Sequence, residues 1–302
     1  MSEPPPGATS ADDFVPPPEE DLPPVPDDAG DTRGYHFRRL LGKPLTWILG
    51  GAVALIAFVA VAAAGYVAIG AGVAAAVLLL TVLIVYLLAR GKAEEDFFRA
   101  YSEGRKLRWA AGKGSLPPVT PLLQRGDDRY TKQTLQGVLP GGMDGTLALY
   151  TYEEETRDSD GNKQTSYFHY TVAMTNLPET APFMRELFCQ RRVGFKFLDS
   201  AEDVFRKRQR VEQESAAVDE RYEIFMGEGD DMNRARQILS PSFLVWLADH
   251  SPEKFAFELC AGALVCNVKG HQKSAAELDE LCSAASAVAR RLHEEATELP
   301  AA

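Results

Sequence analysis

PLTWILGGAVALIAFVAVAAAGYVAIGAGVAAAVLLLTVLIVYLLA, residues 44–89, holds no Asp, Glu, Lys, Arg or His across 46 positions, in a 302-residue chain of which 25% is charged. One helix crosses the hydrocarbon core of a bilayer in about 20 residues, so this run suffices for two crossings joined by a short turn. A soluble helix pair of this length would carry a polar face, and none is present. The reading is a two-helix transmembrane hairpin over residues 45–89. Gly65, Gly70 and Gly72 mark the expected turn, which divides the run into residues 45–64 and about 71–88. Ala60, Ala64 and Ala74 are the small residues expected at the contact between the helices. Trp47 and Tyr86 fall near one interface and Tyr66 near the other, as interfacial aromatics do. A cleaved signal peptide is not expected, because 43 residues precede the run and a second span follows where a cleavage site would lie.

Basic residues flank the hairpin on both sides. Arg33, Arg38, Arg39 and Lys43 form a juxtamembrane segment at residues 33–44, and Arg90, Lys92, Arg99, Arg105, Lys106 and Arg108 follow the second helix. The positive-inside rule then places both termini in the cytoplasm, with the chain a multi-pass protein of the plasma membrane. Neither helix contains an ionisable group for a proton relay or an ion path, so transport by this chain alone is not expected.

Residues 1–32 hold nine acidic residues, no basic one, and nine of the nineteen prolines. Phe14, Val15, Leu22 and Val25 are too few to offset the entropy of ordering, so a disordered tail is expected, with polyproline II character at residues 16–18 and 23–26. Protein partners are an expectation for this tail, although Pro23-x-x-Pro26 lacks the basic neighbour of proline-motif ligands and a solvated acidic spacer is the simpler reading. The formal charge is −11, and removing the tail's nine negative charges leaves −2. Nucleic-acid binding by bulk charge is therefore not expected. Arg206-Lys207-Arg208-Gln209-Arg210 and Arg105-Lys106-Leu107-Arg108 are candidates for contact with anionic lipid, or else ordinary solvated faces.

Residues 90–115 read as a stalk, helical from Ala93 to about Ala111 and stopped by Leu116-Pro117-Pro118. Residues 116–299 read as a cytosolic α+β domain, a mostly antiparallel sheet with packed helices. Strands are expected at residues 130–139, 146–154 and 166–176; in the last, Phe168, Tyr170, Val172 and Met174 alternate with His169, Thr171 and Ala173. The connection from Arg157 to Lys163 is a hairpin tip whose Asp, Gly and Asn residues suit a turn; no Glu closes the frame of a calcium loop. Further strands are expected at residues 194–198, 219–226, 255–259 and 263–268. Asp230 or Asp231 can cap a short helix through Leu239, and Ser240-Pro241 starts another. Ser274-x-x-Glu277 is a capping box before a helix whose Leu278, Leu281, Cys282, Ala285, Val288 and Leu292 form one apolar stripe.

Motifs for chemistry are sparse. Cys189, Cys260, Cys266 and Cys282 form no C-x-x-C pair and read as buried thiols of a reducing compartment. His169, His250, His271 and His293 lack metal-ligand spacing. Gly137-Val138-Leu139-Pro140-Gly141-Gly142 lacks the Lys-Ser/Thr ending of a phosphate loop, and no nucleophile elbow is present. No catalytic, cofactor-binding or metal-binding residue is assigned, and no cofactor is expected.

Thr171-Val172-x5-Leu177-Pro178, Tyr222-Glu223-Ile224-Phe225, Ala235-x3-Leu239-Ser240-Pro241-Ser242-Phe243 and Phe257-Glu258-Leu259 together resemble uncharacterised bacterial, notably actinobacterial, membrane-anchored domains of unknown function, over roughly residues 130–292. The resemblance implies an α+β fold and carries no catalytic residue. The expected role is a membrane-tethered interaction or regulatory module. One alternative is a membrane-associated enzyme, a hydrolase or lipid-acting enzyme using Asp230, Asp231 and Glu258 in a cleft. The other is an accessory subunit of a membrane complex that docks through the small-residue face of the hairpin.

Overall fold

A computed structural model of the chain describes residues 22–28, 30, 33–157, 161–191, 208–211 and 222–298. They belong to two compact units. The helical unit contains α1 (Arg33–Leu41), α2 (Pro44–Ala63) and α3 (Val67–Gly104). Lys43 is extended and Pro44 sits in the first turn of α2, where its fixed φ suits the helix and its missing N–H would have had no partner. The turn is Ala64-Gly65-Tyr66, with Gly65 at φ +86°, a left-handed conformation that favours glycine. Gly70 and Gly72, expected in the turn, lie inside α3.

The closest approaches of α2 and α3 also differ from expectation. A Cβ on Gly50 would lie 2.8 Å from Thr81 Cγ2, and one on Gly70 would lie 3.1 Å from the Phe58 carbonyl oxygen. Ala74 is half-buried, whereas Ala60 and Ala64 are exposed. Position 60 falls off the contact stripe that Gly50, Ala54, Ala57 and Phe58 define at helical spacing, and Ala64 lies in the turn beyond the end of α2. The apolar windows of α2 and α3 have mean hydropathy 2.2 and 2.7, with only 11% and 6% of each window buried. Both helices are long and apolar enough to cross a membrane.

α1 is held within this unit by polar and aromatic contacts. His36 Nε2 lies 2.7 Å from Asp96 Oδ2 on α3, and Phe37 meets Tyr86 edge to face at 6.0 Å. Its last carbonyls are satisfied by Thr46 Oγ1 on Leu40 at 3.0 Å and by Trp47 Nε1 on Leu41 at 2.7 Å, groups a helix end otherwise leaves open.

The α+β unit is built on a nine-stranded antiparallel sheet. Its strands are β1 (Arg108–Gly114), β2 (Asp128–Val138), β3 (Asp144–Arg157), β4 (Lys163–Asn176), β5 (Glu186–Arg191), β6 (Arg208–Arg210), β7 (Tyr222–Gly227), β8 (Ala256–Cys260) and β9 (Ala263–Lys269). The helices are α4 (Pro121–Gln124), α5 (Met232–Ile238), α6 (Pro241–His250) and α7 (Ala275–Glu298). The strand order is β1-β2-β3-β4-β9-β8-β5-β7-β6. A meander therefore fills one half, and the β8–β9 hairpin returns to join β4 to β5.

The stalk reading fails beyond Gly104. Residues 108–114, expected to be helical as far as about Ala111, form β1 on the edge of the sheet, with Trp109 opposite Leu135 and its Nε1 donating to Gln133 Oε1 at 2.9 Å. Lys106, at φ +56°, turns the chain out of α3. The tail also departs from expectation at its described end: Asp27 O accepts from Ala275 N at 3.0 Å, Asp28 bridges Ser274, and Pro23 O accepts from Arg105. The hairpin-tip residues 158–160 and the strand expected at 194–198 lie outside the described residues.

Register divides the sheet into two faces, because residues directly opposite one another across strands share a side. One cross-strand row runs Arg108, Gln136, Thr146, Met174, Val265, Glu258, Phe188, Phe225 and Arg210. On this face Leu122 and Leu123 of α4 pack with Tyr150, Tyr152, Tyr170, Val172, Met174 and Val265. On the other face lie the buried Leu147, Leu149, Ala173, Cys266, Phe257, Leu187 and Ile224, and the apolar stripe of α7 is buried with them: Leu278, Leu281, Cys282, Ala285, Val288 and Leu292 are each at most 1% exposed. α7 also locks α5: Arg291 donates to the carbonyls of Gln237 at 2.7 Å and Ile238 at 3.2 Å and pairs with Glu295 at 2.7 Å.

Candidate functional site

Where the ends of β2, β3 and β4 approach α7, a groove of about 720 Å³ opens, with Arg108, Asp144, Asn176, Ser286, Arg290 and His293 among its walls. Its floor is the β2–β3 turn. Gly141 there has φ +88°, and a Cβ on it would lie 2.6 Å from Ser286 Cβ, so the turn approaches α7 only as glycine. Ser286 Oγ fixes that approach by donating to Pro140 O at 2.9 Å and accepting from Met143 N at 3.3 Å. Ser286, Arg290 and His293 follow at helical spacing and share one side of α7.

At the rim, His293 Nδ1 lies 2.5 Å from Glu179 Oε1. Burial alone would raise the Glu179 pKa, but the hydrogen bond from His293, the residue's own N–H and the nearby imidazole hold it below the usual carboxylate range. Ser286 and His293 are seven residues apart, so their Cα atoms stand about 10 Å apart along the axis. With the Ser286 hydroxyl committed to the turn, they do not make a Ser-His-Glu relay. Chemically, the groove offers two guanidinium groups, Arg108 and Arg290, against the single carboxylate of Asp144 in its wall. Guanidinium forks suit carboxylates and other oxyanions.

Glu258, one of the three acids named from sequence, is buried on β8. Its Oε2 accepts from Leu122 N at 3.0 Å, within the first turn of α4. Thr120 occupies the N-cap position of that helix but makes no side-chain cap bond, and its buried hydroxyl, although beside the carboxyl, has no partner in hydrogen-bonding geometry among the described residues. A carboxylate from the sheet thus does the capping. Burial pushes Glu258 up, outweighing the Leu122 N–H and the Arg125 and Arg208 charges, which act the other way.

The two aspartates serve other elements. Asp230 accepts from Glu186 N at 3.1 Å and from Arg185 Nε at 3.2 Å, and Asp231 caps α5 by accepting from Asn233 N at 2.9 Å. Each of the three acids is engaged by a different part of the backbone. Cys189, Cys266 and Cys282 are fully buried, and burial raises their thiols well beyond neutral pH; half-buried Cys260 is pushed up to about 12. His169 and His271 share Thr151 Oγ1, at 3.0 and 3.2 Å. Among the described residues no group of three His, Cys, Asp or Glu is placed to hold a metal ion.

One arginine of each basic stretch turns inward, while Lys106, Arg108 and Arg210 are exposed. Arg105 makes a two-pronged pair with Asp279 at 3.0 and 2.5 Å and is only 6% exposed. Arg208 pairs with Glu186 at 2.9 Å and covers the Phe188 ring; Arg206 and Lys207 lie outside the described residues. The groove itself was missed from sequence. In sequence Arg108 falls in the expected stalk, Arg290 carries no motif, and His293 lacks metal-ligand spacing. Their spacing from Ser286 was the available local signal. No family model matches the chain, and it has no match among curated proteins or solved structures.

Proposed function

We propose that the chain is a membrane-tethered interaction or regulatory module. The α2–α3 hairpin holds the α+β domain at the cytoplasmic face of the plasma membrane, both termini lie in the cytoplasm, and the Arg108–Arg290 groove receives an acidic segment of a protein partner. The acidic, proline-rich N-terminal segment is a second docking arm. The observation that carries this reading is the uncovered apolar surface of the two helices, with Leu79 72% and Ile56 69% exposed. Surface of that extent is covered by lipid or protein. The resemblance to bacterial membrane-anchored domains belongs to the same reading. Tethering confines the groove to the membrane plane and raises its effective concentration towards membrane partners.

The engagement of Asp230, Asp231 and Glu258 by backbone groups favours binding over acid–base chemistry. A second reading, an accessory subunit of a membrane complex, draws support from Gly51 and Gly72: a Cβ at either position would meet nothing within 4 Å, and Ala60 and Ala64 are exposed as well. Such positions suit packing by a further helix.

The test is photo-crosslinking in native membranes from a reactive residue placed at Asn176 in the groove wall, on the full chain. The expected result is a discrete adduct that disappears in the Arg108→Glu/Arg290→Glu variant. An adduct pattern indifferent to those charges would refute groove docking. A partner set unchanged by deletion of residues 1–32 would remove the docking arm.

A further inference from the structure

Within the helical unit, α1 and α3 enclose a second cavity, of about 280 Å³, walled by His36, Arg39, Lys43, Lys92, Glu95 and Asp96. We infer that this cavity is a binding site for the phosphate headgroup of an anionic phospholipid. Three observations converge on it. The first is charge: Arg39, Lys43 and Lys92 are exposed and have no ion-pair partner among the described residues, whereas Asp96 is engaged by His36 at 2.7 Å. Among the described residues, three cations without an ion-pair partner thus face one such carboxylate, Glu95.

The second observation is position. Lys43 directly precedes α2, and Lys92 lies three residues past the end of the uncharged run at Ala89, about 4.5 Å further along the helix. Both belong at the depth of the headgroups, and Trp47, whose indole caps α1 at 2.7 Å, marks the same boundary. The third is construction. The His36–Asp96 and Phe37–Tyr86 contacts hold α1 against α3, so Arg39 is placed by packing as well as by bulk attraction. The cavity is roughly nine times a water molecule's share of about 30 Å³, which admits a phosphodiester with its glycerol. Basic pockets between membrane helices on the cytoplasmic side hold headgroups in this way. The diester phosphate is the shared chemistry with free inorganic phosphate; the depth of the site selects the lipid.

This inference rests on the membrane tether proposed above, so the experiment separates the two. The full chain is reconstituted into phosphatidylcholine vesicles containing a minor fraction of phosphatidylglycerol, and flotation reads incorporation. Native mass spectrometry then counts the lipids retained after extraction into detergent. Wild type is expected to float and to retain phosphatidylglycerol selectively. Arg39→Gln, Lys43→Gln and Lys92→Gln should each lower that selectivity about fivefold, with flotation unchanged, and Arg38→Gln, outside the cavity wall, should leave it intact. Equal retention by wild type and the triple variant would overturn the site, as would an equal loss in Arg38→Gln, which would indicate bulk charge. Displacement of the lipid by inorganic phosphate would overturn the lipid assignment. Failure of wild type to float would refute the tether itself, and this site with it.

Discussion

Glu258 shows at the residue scale how much of this molecule depends on contacts remote in sequence. Its carboxylate caps α4 across 136 positions of chain, so no local pattern announces it. Asp231 and Ser240, which cap α5 and α6 through residues two and three positions on, were readable from sequence because capping is local. Replacing Glu258 by Ala leaves the buried Leu122 N–H without its acceptor and should destabilise the domain by about 1–3 kcal/mol, read by urea unfolding of the full chain in detergent. The pH dependence has a definite sign. Burial raises the folded-state pKa of Glu258 above its unfolded value, so the native state holds the proton more tightly. Its contribution to stability is present below the unfolded carboxyl pKa, is lost as pH rises through the folded value, and is level above that. Glu258→Gln keeps an acceptor for Leu122 N and removes the titration. The wild-type curve should therefore fall relative to the Gln curve as pH rises from about 4; parallel curves would contradict the buried-acid assignment.

Elements that reveal themselves by composition or local caps were legible, and elements that exist only through a distant partner were not. The hairpin, the β3–β4 and β8–β9 pairs and α7 belong to the first kind. Residues 108–114 belong to the second, since Arg108-Trp109-Ala110-Ala111 continues the helical pattern of the preceding segment and becomes a strand only against β2. The groove shares this origin, because Arg108 reaches it only as a member of β1. Between elements, Arg291 joins α7 to the C-terminal carbonyls of α5, where a cation also favours the helix dipole. Arg291→Met leaves those carbonyls open and Glu295 without its partner, and should cost about 3 kcal/mol in urea unfolding. The Arg291→Met/Glu295→Met pair should recover part of that loss. In the hairpin, cysteines at Gly50 and Thr81 should form a disulfide readily under oxidation, whereas a pair at Gly51 and Thr81, at the same level but with a Cβ at position 51 meeting nothing within 4 Å, should not; the reverse would place the helix contact on the wrong stripe.

Across the whole molecule, sequence order and spatial order diverge most in the second half of the sheet, where β5 lies between β8 and β7. An alternation pattern reports which residues are strands but carries no information on which strands are neighbours, so α+β was legible and the strand order was not. The membrane reading depends on the least local-structure detail of all, the 46 uncharged residues at 44–89 and the surface they leave uncovered. The direct test of the tether is a dual reporter, active as an enzyme outside the cytoplasm and fluorescent inside it, inserted after Gly65 or fused after Ala302 in the full chain. The expected result is enzymatic activity from the Gly65 insertion and fluorescence from the C-terminal fusion. Fluorescence from both positions, or an external C-terminus, would contradict a hairpin that holds the α+β domain in the cytoplasm.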